Sequence, residues 1–412
     1  MIDRWYRANL EKQMRKPFVH VLFGARQTGK TTLLNSLLSH ASLRINLADP
    51  EERTRLLAEP GLFRKECEAL PVLDEPSVVF VDEAQAVPAI FDAVQVLYDR
   101  DRTRWRFVLC GSSARKLRKT GANLLPGRSI LHRLFPLILP ERPPMGHEHL
   151  SARSPLIPLE SSPKLRSAFP PADLEERLAY GDLPGIVLLD EEDRRQVLRS
   201  FVAIHLEEEI RREALVKDWG AFVNFLRLAA RESGGIINFA AISRQVGISP
   251  PTVKSYYQLL EDMFMGFMVP AFSKSARKSL LSTPRFLFVD LGIQHAACGL
   301  TPDPNLVRAS PGRYFETWVG IEIWKRLQYA GSGQLHYFRT KDGTEVDYIV
   351  ELADRTIAIE VKWTDRPSLQ DVTGLVMFLR DHPRVREGFV ICRCPRPARL
   401  SDSIIALPWH LL

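Results

Sequence analysis

A chain of 412 residues that is 45% apolar and 25% charged is an ordinary globular protein, too apolar for disorder and long enough for roughly two to four domains. Its formal charge of +7 and isoelectric point near 9.2 permit a polyanionic partner without requiring one. Met1 to Arg7 carry no apolar leader core, and no apolar run approaches a membrane span, so no membrane association and a cytoplasmic location are expected. Five thinly spread cysteines suit a reducing compartment. Cys392-x-Cys394 has no second Cys/His pair at zinc spacing, so paired surface thiols are expected there.

Residues 1–17 have the pattern of a helix leading into an apolar strand (Val19, Val21, Leu22, Phe23). The strand runs into Gly24-x4-Gly29-Lys30-Thr31, the full Walker A spacing, and a helical pattern follows (Leu33, Leu34, Leu37, Leu38). Glycine is needed where backbone N–H groups turn inward around phosphate oxygens. Gly24, Gly29, Lys30, Thr31 and Thr32 are therefore the expected ATP contacts, with Lys30 on the β/γ-phosphates and the Thr31 hydroxyl on Mg²⁺.

A short strand at 43–47 and a helical stretch at 50–70 come next. Ser77-Val-Val-Phe-Val-Asp-Glu-Ala-Gln85 is an unbroken apolar run ending in two carboxylates, as in a strand buried on both faces of a parallel sheet. Ligands sit at the carboxyl ends of such strands. The run has the Walker B form: Asp82 is expected to hold Mg²⁺ through water, and Glu83 to polarise the attacking water. The strand Trp105 to Cys110 ends in Gly111-Ser112-Ser113, where Ser112 or Ser113 is placed to act as sensor 1. Arg128 is the candidate arginine finger, acting across a subunit boundary, with Arg133 in reserve.

Residues 140–172 hold eight prolines amid Ser, Arg and His and read as a linker. From 174 to 232 the pattern is helical, suited to a lid or spacer, and the charged run 207–213 reads as a solvated helix face. Residues 237–247 form a short helix stopped by Gly247, and Ser249 caps a second helix with proline in its first turn. With an apolar hairpin expected over 264–272, this is a winged helix-turn-helix pattern. Its second helix would offer Thr252, Lys254, Ser255 and Gln258 to a DNA major groove, while Lys274, Arg277, Lys278 and Arg285 neutralise phosphates.

The last region carries a second chemistry. Glu316 lies in a helical pattern, and 335–339, 344–351 and 356–362 are strands, the last two joined by a turn at Ala353-Asp354. With those two residues central, antiparallel partners have numbers summing to 707, which sets Asp347 opposite Glu360. Strand alternation puts Glu360 and Lys362 on one face. Apolar runs at 374–379 and 389–392 suggest a further helix and strand.

Residues 18–139 resemble an AAA-type P-loop ATPase. With Tyr180-Gly-Asp-Leu-Pro-Gly185, Phe288-Val-Asp-Leu-Gly292 and Phe315 to Lys362, the whole chain resembles a large bacterial and archaeal family in which such an ATPase is fused to a C-terminal domain of uncharacterised function. The C-terminal cluster resembles a PD-(D/E)xK nuclease core, although Val346 stands where proline is usual. That resemblance implies that Asp347 and Glu360 bind Mg²⁺ or Mn²⁺, helped by the Val361 carbonyl and Glu316, and that Lys362 orients or deprotonates water. The expected fold class is α/β: an ATPase domain with a parallel sheet (1–142), a proline-rich linker and helical spacer (143–235), a winged helix (236–288) and a PD-(D/E)xK-like α/β domain (289–412). The expected function is ATP-driven DNA processing by a homo-oligomer, with a hexameric ring as one arrangement. The alternative is an ATP-driven regulatory switch or DNA-binding adaptor whose nuclease-like domain is inactive.

Overall fold

A computed structural model describes residues 4–112, 125–147, 156, 169–202, 216, 218–273 and 282–412. The chain divides into two compact units, 1–135 with 262–264, and 136–261 with 265–412.

In the first unit, five strands form a parallel sheet: β1 (Val19–Phe23), β2 (Leu43–Asn46), β3 (Ser77–Asp82), β4 (Trp105–Gly111) and β5 (Ser129–Arg133). Their spatial order is β2-β3-β4-β1-β5. Helix α1 (Arg7–Met14) precedes β1, and α2 (Lys30–Leu37), α3 (Pro50–Ala58), α4 (Leu62–Glu68) and α5 (Ala89–Arg100) come between the later strands. β1 is buried at every position, including His20, whose Nδ1 lies 3.1 Å from Nε2 of His132 on β5. α5 turns Ile90, Phe91, Val94, Leu97 and Tyr98 into the core, a helical spacing that leaves Asp92 and Asp99 outward.

The second unit opens on buried polar residues. Arg142 and Arg177 both donate to Asp182 (3.2 and 2.8 Å), and these two guanidiniums hold the Asp182 carboxyl low despite its burial. Then come α6 (Leu174–Tyr180), α7 (Pro184–Val187), α8 (Glu191–Ser200) and α9 (Trp219–Arg231), capped by the side chains of Asp173, Asp190 and Asp218 on α6, α8 and α9. α10 (Phe239–Val246) ends at Gly247, whose left-handed φ of 77° turns the chain into α11 (Pro250–Asp262). The expected hairpin within 264–272 is not formed. β6 (Gly266–Val269) pairs antiparallel with β7 (Arg285–Phe288) instead, because the apolar run Arg285-Phe-Leu-Phe288 supplies the partner edge.

After α12 (Leu291–Ala297) and α13 (Pro304–Ala309), the long helix α14 (Pro311–Ala330) packs on a mixed sheet of order β12-β13-β11-β10-β9-β8. Its strands are β8 (Gln334–Arg339), β9 (Glu345–Glu351), β10 (Thr356–Val361), β11 (Gly388–Cys392), β12 (Ala398–Ser401) and β13 (Ile404–Pro408), with α15 (Thr373–Asp381) crossing from β10 to β11. β9 and β10 pair as expected, Glu351 with Thr356 through Tyr348 with Ile359. Gly320 allows the approach of α14, since a Cβ there would lie 2.3 Å from the Tyr348 hydroxyl. Cys392 and Cys394 are buried free thiols, not surface ones, packed with Ala406. No helix among the described residues is long and apolar enough to cross a membrane.

Candidate functional site

The turn from β1 into α2 carries the phosphate-binding pattern. Gly29 has φ 84°, a conformation costly to any side chain. A Cβ on Gly24 would sit 2.2 Å from the Leu134 carbonyl oxygen, so only glycine lets the loop lie against that segment. The Lys30 ammonium is buried and donates to the carbonyls of Gly24 and Ala25, both at 2.8 Å, which stretches it across the loop. Thr31 and Thr32 are exposed on the first turn of α2. The Thr31 hydroxyl donates to Asp82 Oδ2 at 2.8 Å, joining the two groups expected to share Mg²⁺. A glycine cradle, a lysine held on carbonyls and a hydroxyl–carboxylate pair fit a nucleotide triphosphate with its divalent ion.

Strand order sets the rest. Because β4 lies between β1 and β3, the strand that ends in Asp82 runs two strand spacings, about 10 Å, from β1, a gap that the Thr31–Asp82 hydrogen bond closes, and Ser112 stands at the tip of the strand between. Glu83 is left-handed (φ 53°, ψ 39°), and its amide donates to Asp82 Oδ1 at 3.0 Å. The bend turns the Glu83 carboxylate toward β4, where Oε2 accepts from Ser112 Oγ (3.3 Å) and from Gln85 Nε2. Gln85 Nε2 also donates to Ser112 Oγ at 3.1 Å. Gly111 makes room: a Cβ there would lie 2.4 Å from Gln85 Oε1, a buried oxygen with no hydrogen-bond partner among the described residues. Ser113 lies outside the described residues.

Gln85 and Arg4 are site residues that the sequence reading did not single out. Gln85 could be found from its place two residues past Glu83. Arg4 had no such signal: from before α1 it donates to Thr28 O (2.5 Å) and Phe135 O (2.8 Å), pinning the loop.

The finger candidates separate. Arg128 precedes β5, its carbonyl accepting from Val19 N (2.9 Å), and its Nε donates to Asp99 at 2.6 Å. It is therefore at the amino edge of the sheet, about 16 Å of strand from the loop, and does not reach the nucleotide site of its own unit. Arg133 pairs in register with Phe23 and is exposed at the nucleotide edge.

In the second unit the register brings Asp347 beside β10, where its Oδ2 accepts from Val361 N at 2.8 Å. Lys362 Nζ contacts Glu360 Oε1 at 2.8 Å, while Glu360 Oε2 is buried with no hydrogen-bond partner among the described residues. Burial, then Asp347, pushes the Glu360 carboxyl up to about 7; burial also raises Asp347. Burial opposes the charge on Lys362, yet Glu360 outweighs it and holds the ammonium above its usual value. Glu316, expected to help hold a metal, has a protein cation beside it. Its Oε1 pairs with Arg285 Nη1 at 2.9 Å, and Arg285 Nη2 binds Glu345 as well. Arg285 is thus no phosphate contact on the surface: it is 3% exposed and serves as the cation of this carboxylate cluster. Burial and then Asp347 still push Glu316 up to about 8. Among the described residues, no group of three or more His, Cys, Asp or Glu side chains is arranged to hold a metal ion.

On α11, Lys254, Ser255 and Gln258 are exposed and Thr252 is half-buried, the face expected to be outward. Ser249 Oγ accepts from Thr252 N at 3.3 Å as the cap. Lys274, Arg277 and Lys278 lie outside the described residues.

Comparison with known proteins agrees with the nucleotide-site geometry. Residues 171–304 and 311–412 match two models, each described as a domain of unknown function (DUF8612 and DUF4143). Proteins of Mycobacterium bovis and Mycobacterium tuberculosis, both called uncharacterized, are each 24% identical over 404 residues, covering 97% of this chain and 82% of the relative. An uncharacterized Haemophilus influenzae protein is 23% identical over 390 residues, covering 89% and 87%. A crystal structure of a Vibrio cholerae protein aligns over 94% of this chain and 93% of its own at 12% identity, with a TM-score of 0.19, too low to carry an argument. Residues 16–142 match a model described as an AAA domain, and an AAA-family ATPase domain is present in this chain.

Proposed function

We propose that ATP hydrolysis in the first unit drives work on DNA by the second, within a homo-oligomer. The ATPase reaction is assigned to residues in these roles: Gly24, Gly29, Lys30, Thr31 and Thr32 hold the phosphates, Glu83 takes a proton from the attacking water, and Ser112 orients the Glu83 carboxylate. Mg²⁺, held by Thr31 and Asp82, would neutralise charge building on the phosphates. Arg133, at the nucleotide edge of an outer strand, is the better-placed finger toward a neighbouring subunit, and Arg128 falls to second choice.

The DNA reading rests on one observation: Asp347, Glu360 and Lys362 converge in register while Glu360 Oε2 stays buried and unpartnered. An orphaned carboxylate oxygen is costly, and a divalent cation would satisfy it. Mg²⁺ commonly takes one or two carboxylates and completes its shell with water and substrate phosphate, so the absence of a three-residue cage among the described residues does not conflict. α10 and α11 with β6 and β7 support duplex docking as a winged helix. A second reading, the regulatory switch, is favoured by Arg285, which already supplies a cation to Glu316 and Glu345.

The test is cleavage of linear, single-stranded and four-way-junction DNA with Mg²⁺ or Mn²⁺, with ATP turnover recorded in parallel. Wild type is compared with Lys30→Ala, Asp347→Ala and Glu360→Gln. Metal-dependent cutting lost in both carboxylate variants is the expected result. No cutting and no effect of DNA on turnover would leave the switch.

A further inference from the structure

Strands β10, β11 and β13 are neighbours and mutually parallel, so their carboxyl ends open on one edge of the second unit's sheet. Crevices beyond the carboxyl ends of parallel strands are where α/β sheets hold ligands. Each of these three ends delivers a side chain suited to a planar, anionic one. Trp363 stands two residues past Val361, the last residue of β10; Arg393 follows Cys392, the last of β11; Trp409 and His410 follow Pro408, the last of β13. With residues from 144–147 and 173–175, segments joined by the bridge between Pro144 and Ala172, they line a cavity of about 530 Å³.

The lining is aromatic, with hydrogen-bonding groups to spare. The exposed Arg393 guanidinium lies 4.4 Å from the centre of the Trp363 ring and has no ion pair or hydrogen bond among the described residues, so its N–H groups are open to an anion. Trp409 is half-buried along the cavity. Beside it, His147 stacks on His410 at 4.2 Å; burial, then His147, drives His410 down to about 4 and leaves it a neutral ring. Asp173 uses Oδ1 to accept from Glu176 N at 2.7 Å, and Glu175 Oε2 accepts from Arg308 Nε at 3.2 Å. Each carboxylate therefore keeps one oxygen with no hydrogen bond among the described residues.

We propose that this cavity binds a nucleoside monophosphate unit, with the base stacked on Trp409, an exocyclic amino group of the base donating to Asp173 or Glu175, and the phosphate on Arg393. Stacking asks only for a flat ring, whereas the carboxylates ask for an amino donor, which adenine, cytosine and guanine carry and thymine lacks. One guanidinium facing two carboxylates suits a single phosphate and would repel a polyphosphate. The volume falls in the range of roughly 300–1,000 Å³ typical of small-molecule sites. The unit is either a free nucleotide or an unpaired residue of a strand, since both present the same base and phosphate. The assignment uses neither Asp347 nor the Walker loop and so does not depend on the DNA reading, which it extends where the nucleotide belongs to a strand.

The test is equilibrium dialysis of radiolabelled dAMP, dCMP, dGMP and dTMP, each beside its phosphate-free nucleoside, against the full chain carrying Lys30→Ala so that the Walker loop does not compete. The expected result is saturable uptake of one molecule per chain, with at least one amino-bearing monophosphate held about fivefold or more tighter than dTMP. Added to that chain, Arg393→Ala, an exposed change, should weaken this monophosphate about tenfold and leave its nucleoside unchanged. Trp409→Ala should weaken both about tenfold, and Trp409→Phe less than threefold. Because Trp409 also meets Trp318 edge-on, circular dichroism of its variants is checked, and Arg393 decides if the fold is lost. No saturable uptake, equal affinity for dTMP, or an Arg393 variant that binds as before would overturn the proposal. Displacement of the monophosphate by a 12-nucleotide single strand identifies a strand as its source, and failure to displace it identifies a free nucleotide. Uptake lost in Arg393→Ala, with no DNA cleavage by wild type, would sink the nuclease and leave the cavity assignment standing. Cleavage that needs Asp347, with no monophosphate uptake, would do the reverse.

Discussion

Lys30, the phosphate contact of the proposed ATPase reaction, already has its ammonium across the loop on the Gly24 and Ala25 carbonyls. Lys30→Ala should lower ATP turnover by about a hundredfold or more, read in a coupled phosphate-release assay. Gln85 tests a finer point. It donates both to Glu83 and to Ser112, so Gln85→Ala should leave KM for ATP near wild type and lower kcat about tenfold, because Glu83 loses a donor that fixes its carboxylate. An unchanged kcat would make Gln85 a packing residue only. The AAA-type domain was legible because the Walker patterns are written in local spacing. Arg285 was misread because its partners lie 31 and 60 residues further on, and no local pattern distinguishes a buried counter-ion from a surface arginine.

Among the elements, the β9–β10 pair shows why some geometry is readable. A short turn and a period of two leave one register that buries both apolar faces, and Asp347 follows from it. The partner of β6 was not readable in the same way, since β7 begins 16 positions after β6 ends and no turn chemistry links them. β12 and β13, which complete the sheet beyond β11, likewise carried no pattern strong enough to draw. Close approach of α15 to β9 depends on Gly374, where a Cβ would lie 2.2 Å from the Glu345 carbonyl oxygen. That neighbour is backbone and cannot swing aside, so Gly374→Ala should cost about 2 kcal/mol in urea unfolding. A Gly374→Ala protein as stable as wild type would show that the helix shifts freely.

For the whole molecule, buried histidines give stability a pH dependence. His295 is fully buried with Nδ1 2.9 Å from the Ala179 carbonyl, and burial drives it down to about 4; His132, also buried, is driven down to about 3. The unfolded chain takes up a proton near pH 6.5 while the folded chain does not, so stability falls as pH drops below about 6.5. Each such group adds up to about 1.4 kcal/mol per pH unit until its folded value is reached. His295→Gln should flatten the fall in urea midpoint between pH 6.5 and 4, and an unaltered slope would show that other groups set it. One feature of the second unit bears on how the chain is made. The Leu137 carbonyl accepts from Lys325 Nζ, 188 residues later, and the Leu139 amide donates to Glu322, 183 residues later. All five strands of the first unit have been synthesised by Arg133, so its sheet can assemble early. The segment that follows waits for α14, roughly 10 to 40 s at ordinary rates of synthesis, with its backbone polar groups still in water. During translation an assembled parallel sheet that still lacks residues 262–264 trails an unfinished partner, and slow, late closure of that partner is where aggregation and chaperone dependence should concentrate.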